Sequence, residues 1–223
     1  MTNPLPDIET LNRRFAASEA AEIIAWSATQ PGPLVLSSSF GAEAVVMLEL
    51  VFGILRLQEK AKVVFIDTSH HFPETYTYRQ AMQDRYGFTL VELKATNPQA
   101  ADPLTNSERC CYLNKVKIFN AFLNRDLIWL SGIRRSQTRL RKHAQIVMLD
   151  SRVRLKINPI FLWDDEQTAT FIVDRGLPLN PLVAQGYPSI GCQPCTCKPT
   201  NDNPRSGRWA QTGNDECGLH CRV

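Results

Sequence analysis

The cysteine residues are the chemically most distinctive feature of this sequence, because all seven lie between residues 110 and 221 and none precedes them. Two of them are adjacent and two more form a CxxC motif, so these pairs could together supply four sulfur ligands to a metal site. A further cysteine stands apart near the C-terminus, in Glu216-Cys217-Gly218-Leu219-His220. The distribution suggests a metal site formed by Cys110, Cys111, Cys192 and Cys195. It suggests a separate reactive thiol at Cys217.

The spacing of the two cysteine pairs favours an iron-sulfur cluster over a zinc ion. Structural zinc typically uses two CxxC motifs around one tetrahedral ion. Adjacent cysteines reach a single ion together only with strain, whereas a cluster has separate iron atoms for neighbouring thiolates. Alone, Cys110-Cys111 is typical of ordinary small residues, and a single CxxC also occurs in zinc and redox sites. The indication therefore comes from the two pairs taken together.

Two further features could bind an anion. Lys115 follows Cys111 by one helical turn, where its charge could neutralise both thiolates and a bound anion. The turn Ser37-Ser38-Ser39-Phe40-Gly41-Ala42-Glu43 lies between a predicted strand and a predicted helix, where hydroxyl and backbone N–H groups can donate to sulfate or phosphate oxygens. It lacks the Walker pattern, and a serine-rich turn is also typical of a simple helix N-cap, so both interpretations stay open.

Composition limits the class of protein. With 223 residues and 43% hydrophobic residues, the chain can bury the core of one soluble domain. Neither a signal peptide nor a membrane span is evident, so we expect a cytoplasmic protein, in which clustered cysteines favour metal binding or catalysis over disulfides. The net charge of +3 does not indicate a nucleic-acid partner. A basic cluster could still bind a compact anion or form a solvated face: Arg134, Arg135, Arg139, Arg141, Lys142, Arg152, Arg154 and Lys156.

Short apolar runs alternate with helix-length segments, which predicts an α/β fold with a parallel sheet covered by helices on both faces. Ligands of such folds bind at the carboxyl ends of the strands. Asp67 and Thr68 end the second strand and could meet a nucleoside there, whereas we expect His70 and His71 to be surface or capping residues. The predicted strands are 34–36, 63–66, 90–93, 127–130 and 157–160, and the predicted helices are 11–28, 43–59, 73–86 and 106–124.

Motifs in a fixed order along nearly the whole chain give a specific resemblance. They are Ser39-Phe40-Gly41-Ala42-Glu43, Asp67-Thr68, Pro73-Glu74-Thr75-Tyr76, Cys110-Cys111 with Lys115, Gly132-Ile133-Arg134-Arg135-Ser136-Gln137, Asn180-Pro181-Leu182, Gly186 to Cys192 with Pro194-Cys195-Thr196, Gly207-Arg208-Trp209, and Glu216 to His220. Together these residues resemble the assimilatory adenylyl-sulfate reductases, in the branch that carries a 4Fe-4S cluster. The terminal pentapeptide is typical of sulfonucleotide reductases generally, and the paired CC and CxxC mark the cluster-bearing branch.

The resemblance implies a Rossmann-like sheet of the adenine nucleotide alpha hydrolase type and a reaction in sulfate assimilation and cysteine biosynthesis. It implies that thioredoxin, or a glutaredoxin-like dithiol, drives the reduction of adenylyl sulfate to sulfite and AMP through an S-sulfocysteine on Cys217. The cluster ligands would be Cys110, Cys111, Cys192 and Cys195. The implied substrate contacts are Ser37, Ser38, Ser39, Phe40, Gly41, Glu43, Asp67, Thr68, Lys115, Arg134, Arg135, Gln137, Arg205, Arg208 and His220.

The resemblance also implies a division of the chain. Residues 1–197 would form the sulfonucleotide-binding domain with the iron-sulfur site, and residues 198–223 a flexible arm carrying the catalytic cysteine, whose pKa His220 and Arg208 could lower. Cys197 and Cys221 are extra thiols: Cys197 could compete as a ligand and Cys221 could pair with Cys217, or both could be without function. Asn214 stands where family members often carry lysine. We further expect a homo-oligomer, without nucleic-acid or membrane partners.

Three alternatives remain at this point. An ATP pyrophosphatase that adenylates its substrate would need an SGGxDS-like loop, which residues 37–43 do not provide. A non-catalytic zinc or cluster-binding module would use Cys217 and Cys221 only as ligands. Within the reductase family, the substrate could be 3'-phosphoadenylyl sulfate instead of adenylyl sulfate.

Overall fold

A six-stranded sheet forms the centre of the molecule, in the strand order β3-β2-β1-β4-β6-β5. The computed structural model describes residues 6–124, 126–151 and 153–220. Neighbouring strands run parallel, except that β5 is antiparallel to β6. The strands are β1 (Leu34–Ser37), β2 (Ala61–Asp67), β3 (Thr89–Lys94), β4 (Ile128–Ser131), β5 (Val147–Leu149) and β6 (Leu155–Ile157).

Helices connect the strands and cover both faces of the sheet, which confirms the predicted fold class. Two of them contain a π-helical stretch: α3 continues as Glu49–Ile54, and α5 continues through Tyr112–Val116 into α6. The helices are α1 (Ile8–Phe15), α2 (Ala20–Thr29), α3 (Ala44–Leu48), α4 (Pro73–Tyr86), α5 (Ser107–Cys111), α6 (Lys117–Phe122) and α7 (Asp165–Asp174), and the short 3₁₀ turns are Pro98–Ala100, Leu140–His143 and Gln193–Cys195.

The alternation of side chains along the strands divides the core in two. Leu34 and Leu36 of β1 face one side, where they pack with residues of α2, α3 and α4. Val35 faces the other side, where it packs with Trp129 of β4 and with aromatic and aliphatic residues of α6. Leu219, near the C-terminus, belongs to this second core. The C-terminal segment is therefore part of the packed structure on this face.

Several predicted boundaries differ from the observed ones. The predicted helix 11–28 is two helices, because residues 16–19 form turns and a bend. The strand predicted at 157–160 ends at Ile157, after which Asn158 turns the chain and donates a side-chain hydrogen bond to the Gln145 carbonyl, 2.7 Å away. The sheet is not wholly parallel, since β5 is an antiparallel edge strand too short to give an alternating pattern. Helix α7 was not predicted.

Among the residues that the structure describes, no helix is long and apolar enough to cross a membrane.

Gly32 fixes the entry of the chain into β1. Its φ is +106°, and a Cβ atom at this position would lie 1.9 Å from the Asp126 carbonyl oxygen. We expect Gly32→Ala to lower the free energy of unfolding by about 2–4 kcal/mol, since backbone strain and a backbone clash add. Gly176→Ala is the matched control, because Gly176 also has a positive φ but open space around its Cα. Equal losses for both variants in urea unfolding would contradict the prediction.

Candidate active site

A cavity of about 270 Å³ opens beside the carboxyl ends of β1 and β4. The strand order reverses here, because β1 leads on to β2 on one side while β4 lies on the other. Such a switch point is where open α/β sheets bind ligands. We call this space the main cavity. Its walls come from the loops after β1 and β4, from residues 188–191 and from the C-terminal segment.

A second cavity, which we call the cysteine cavity, is lined by Cys110, Cys111, Cys192 and Cys195. All four are buried and none forms a disulfide. Helix α5 presents the adjacent pair, and the 3₁₀ turn Gln193–Cys195 presents the CxxC pair. Burial raises the pKa of Cys111 to about 12 and that of Cys195 to about 11. Lys115 lowers both pKa values but does not outweigh burial, so these two thiols are protonated at neutral pH when no metal is bound.

The four thiols of the cysteine cavity line one space. Among the described residues, no group of three or more His, Cys, Asp or Glu side chains is arranged so that it could hold one metal ion. Four cysteine thiolates are the ligand set of an iron-sulfur cluster. The Thr68 hydroxyl and the Cys192 sulfur lie 3.2 Å apart, and the Asn114 amide donates to the Cys110 sulfur at 3.5 Å.

Lys115, Arg208 and Trp209 line both cavities and form the wall between them. Burial alone would lower the pKa of Lys115, but Cys192, Cys111 and Cys217 outweigh it and raise this pKa. No carboxylate in the described part of the chain lies within ion-pair distance of either cation. The indole N–H of Trp209 is buried without a hydrogen-bond partner. This wall places positive charge between four thiols and the main cavity.

Arg208 is fixed by its neighbours. Its Nη1 donates to the Ile190 carbonyl at 3.0 Å, and its guanidinium carbon lies 4.3 Å from the centre of the Trp209 ring. A Cβ atom on Gly191 would lie 2.2 Å from Nη2 of Arg208. The guanidinium therefore crosses the backbone at a place where only glycine fits.

Cys217 lies at the main cavity, together with Leu219 and His220. The His220 ring stacks on Trp129, with ring centroids 5.4 Å apart. Upstream, Asn214 donates to the Ser107 hydroxyl at 2.6 Å. Contacts on both sides thus dock the C-terminal segment against the sheet and against α5.

His220 does not provide the positive charge expected from the sequence. Burial, together with the nearby cations Lys156, Arg141 and Arg205, lowers the pKa of His220 well below 6.5. The imidazole is therefore neutral at neutral pH. Of the cations that line the main cavity, Lys115 and Arg208 lie within ion-pair distance of no carboxylate of the described residues, whereas Arg205 lies 3.9 Å from Glu216.

Most of the predicted substrate contacts come together at the main cavity. Four of them lie elsewhere. Phe40 is buried in the core against Phe65, Asp67 accepts hydrogen bonds from Tyr76 and from the backbone of Ser69, Thr68 lines the cysteine cavity, and Arg135 is exposed. The predicted residues that line the main cavity are Ser37, Ser38, Ser39, Gly41, Glu43, Lys115, Arg134, Gln137, Arg205, Arg208 and His220.

Some of these lining residues already have partners. Glu43 pairs with Arg134 and accepts a hydrogen bond from Gln137, and Arg134 also pairs with Asp165 at 2.7 Å. The Ser37 hydroxyl accepts a hydrogen bond of 2.8 Å from the indole of Trp129. These groups shape the wall of the cavity.

Neither Glu216 nor Arg141 was predicted from the sequence as a site residue, although both line the main cavity. Arg141 reaches it from the basic cluster and pairs with Glu216, with Nε and Oε1 2.5 Å apart. Arg154 instead pairs with Asp150 away from the main cavity, at 2.5 Å. No spacing in the sequence distinguishes these two arginines.

The structure also shows where Cys197, His70 and His71 lie. Cys221 and Arg152 lie outside the described residues. Cys197 is partly exposed and lines neither cavity. The expectation that both histidines are surface or capping residues was wrong for His71, which is buried between Phe65 and Tyr76. His70 is partly buried and lines the cysteine cavity.

The fold and the cavities define an α/β protein with a candidate ligand site at the switch point of its sheet, where one cysteine lies beside a buried group of four thiols. Residues 33–198 match the model of the phosphoadenosine phosphosulfate reductase domain, and the chain belongs to that family. The family likeness stated from the sequence motifs is thereby confirmed.

Curated relatives cover most of the chain. An adenosine 5'-phosphosulfate reductase of Staphylococcus epidermidis is 34% identical over 96% of this chain and 92% of its own length. One from Geobacillus kaustophilus is 37% identical over 90% of this chain and 89% of its own length. Among solved structures, phosphoadenylyl-sulfate (PAPS) reductase from Candida auris, in a phosphate complex, has a TM-score of 0.75 at 25% identity, covering 88% of this chain and all of the other.

The fold extends to a different enzyme class. FMN adenylyltransferase of Candida glabrata has a TM-score of 0.63 at 18% identity, covering 90% of this chain and 70% of the other chain. At that identity, the likeness concerns the fold alone.

The position of Arg208 can be tested with an inorganic anion. We expect Gly191→Ala to weaken sulfate binding about tenfold, because the added methyl group displaces a guanidinium whose charged hydrogen bonds are each worth about 1.5–3 kcal/mol. Gly53→Ala is the control, since its Cβ would meet only the flexible end of Glu49, away from the cavity. Isothermal titration with sulfate measures both, and an unchanged affinity in Gly191→Ala would contradict the assignment.

Proposed function

We propose that this protein reduces adenylyl sulfate to sulfite and AMP, with Cys217 as the nucleophile and a dithiol such as thioredoxin as the reductant. The observation that carries the proposal is the position of a cysteine thiol at a switch-point cavity that also holds Lys115, Arg205 and Arg208. A phosphosulfate needs cations, and a thiol that attacks it needs to reach the same place.

The two ends of the main cavity suit the two ends of this substrate. Lys115, Arg205 and Arg208 provide positive charge for the phosphosulfate. Leu36, Met47 and Ile133 contribute an apolar wall near β1 and β4, which suits an adenine ring. The cavity volume of about 270 Å³ lies just below the range of about 300–1,000 Å³ that is typical of small-molecule sites.

The first step transfers the sulfo group to the enzyme. The Cys217 thiolate attacks the sulfur atom of the sulfate group, a bond forms between the two sulfur atoms, and the bond from sulfur to the bridging oxygen breaks. AMP leaves with the electron pair of the broken bond, and its phosphate gains negative charge. Arg205, Arg208 and Lys115 would stabilise that charge, since donors fixed before the reaction need no reorganisation.

The second step releases sulfite. A thiolate of the reductant attacks the Cys217 sulfur, and sulfite leaves with the electron pair of the sulfur–sulfur bond. The second thiol of the reductant then resolves the mixed disulfide and restores the Cys217 thiol, so two electrons come from the dithiol. This step needs access to Cys217, which is why we retain the proposal that residues 198–223 form a mobile arm on a domain of residues 1–197.

We propose further that Cys110, Cys111, Cys192 and Cys195 bind a 4Fe-4S cluster. Bound there, the cluster would supply local charge and structural support, since dithiol exchange already accounts for the two electrons. Lys115, Arg208 and the unpartnered indole N–H of Trp209 support this assignment, because they present positive charge and a donor to the cysteine cavity.

We propose adenylyl sulfate as the substrate, and not its 3'-phosphorylated form, because of the names of the more similar relatives. The curated relatives named adenosine 5'-phosphosulfate reductase are 34% and 37% identical to this chain, and the solved phosphoadenylyl-sulfate reductase is 25% identical. Assembly into a homo-oligomer stays a prediction.

Turnover tests the nucleophile and the substrate together. With thioredoxin and adenylyl sulfate, we expect Cys217→Ser to lose at least about 1,000-fold in sulfite release, because a serine hydroxyl is not ionised at neutral pH. Cys197→Ser is the matched control and should keep its activity. Equal activity of Cys217→Ser and the wild-type protein would reject the nucleophile, and faster turnover with the 3'-phosphorylated substrate would change the substrate.

Iron and acid-labile sulfide test the cluster. We expect Cys195→Ser to lose most of both, because one ligand is removed, whereas Cys217→Ser should retain wild-type amounts. A parallel loss of iron in Cys217→Ser would instead support the non-catalytic metal-binding module. Anaerobic purification followed by iron and sulfide analysis makes the comparison.

A further inference from the structure

Glu216, the residue before Cys217, has a buried carboxylate with partners on the loop after β4 and with one on its own segment, Arg205, whose Nη2 lies 3.9 Å from Oε1. Its Oε1 lies 2.5 Å from Nε of Arg141, and its Oε2 accepts a hydrogen bond of 3.0 Å from Nη2 of the same arginine. The Thr138 hydroxyl donates to Oε1 at 2.8 Å. The side chain of Glu216 is 3% exposed and that of Arg141 is 10% exposed. Water therefore screens this pair very little.

The loop that contains Thr138 and Arg141 is held in place by further side-chain contacts. Arg141 donates to Gln137, and Gln137 donates to Glu43 at the start of α3. Glu43 in turn pairs with Arg134. A charged network thus connects Glu216 to the wall of the main cavity on the side of β1.

Cys217 lies between two points of attachment. On its N-terminal side is the ion pair of Glu216. On its C-terminal side Gly218 turns the chain with a φ of +81°, and Leu219 enters the core beside Val35 and Trp129. Because Cys217 is one residue from Glu216 and two from Leu219, losing either attachment would free the thiol from its place at the cavity.

We propose that Glu216 is a positioning residue that fastens the C-terminal segment to Thr138 and Arg141 and thereby holds the Cys217 thiol in the main cavity. The inference rests on the proposed function, because it takes Cys217 as the reacting thiol. Glu216 acts through the backbone of its neighbour. Its carboxylate is directed at protein cations, and an anionic substrate would repel it.

The attachment of the C-terminal segment depends on the negative charge of the Glu216 carboxylate. Removing one partner of a buried ion pair leaves the other charge without compensation, and the segment can relieve this only by opening. The amide of Glu216→Gln keeps the size but loses the charge. Thr138→Val removes one hydrogen bond from the opposite side, and Thr138 does not line the main cavity.

The rate of Cys217 alkylation measures the attachment directly. Iron-replete protein without nucleotide is treated with iodoacetamide, and the modified Cys217 peptide is quantified by mass spectrometry. We expect Glu216→Gln to raise this rate about tenfold or more, and Thr138→Val and Glu216→Asp to raise it by smaller factors. Glu9→Gln is the matched control, since its pair with Arg13 is exposed and should leave the rate unchanged.

Turnover and binding complete the test. In Glu216→Gln we expect kcat for adenylyl sulfate to fall about as much as alkylation rises, with no loss of AMP affinity. An unchanged alkylation rate in both Glu216→Gln and Thr138→Val would overturn the inference, and so would a loss of AMP affinity that matches the loss of turnover. Alkylation needs no sulfonucleotide, so it tests the attachment independently of the reaction. If the wild-type protein has no reductase activity but Glu216→Gln still raises the alkylation rate, the proposed function is rejected and the attachment is kept.

Discussion

The positive charge of Lys115 and Arg208 is the constraint on which the rest of the site depends. Both side chains line two cavities at once, and in the described ranges no carboxylate lies within ion-pair distance of either. Cations withdrawn from water need a partner charge. Thiolates on one side and a phosphosulfate on the other would both satisfy that need, so one wall can serve a metal site and a substrate site.

This arrangement also explains why the C-terminal segment lies where it does. A thiol is a useful nucleophile only as a thiolate, and positive surroundings favour that form. The segment carries Cys217 to the two cations and is held there by three different interactions: the ion pair of Glu216, the burial of Leu219, and the stacking of His220 on Trp129. Because the neutral His220 adds no charge, it acts through packing.

Much of the fold could be predicted from the sequence, since strands with continuous apolar runs and helices with clear boundaries are local signals. Helix α4 has the predicted bounds, Pro73–Tyr86, and is followed by Gly87 with a φ of +65°. The antiparallel strand β5 escaped prediction because three residues carry no periodicity. Site residues whose partners are distant in sequence could not be predicted either, because their pairing depends on the fold. Arg141 and Arg154 are alike in type and neighbourhood, yet only the fold decides that one meets Glu216 and the other Asp150.

The central claim is that Cys217 attacks the sulfo group of adenylyl sulfate, and one measurement tests it most directly. Anaerobically purified, iron-replete protein is incubated with adenylyl sulfate in the absence of reductant, and the intact mass is recorded before the modified peptide is mapped. The account predicts the added mass of one sulfo group, located on Cys217. An iron-replete protein that shows no adduct, or carries it on Cys197, would contradict the account.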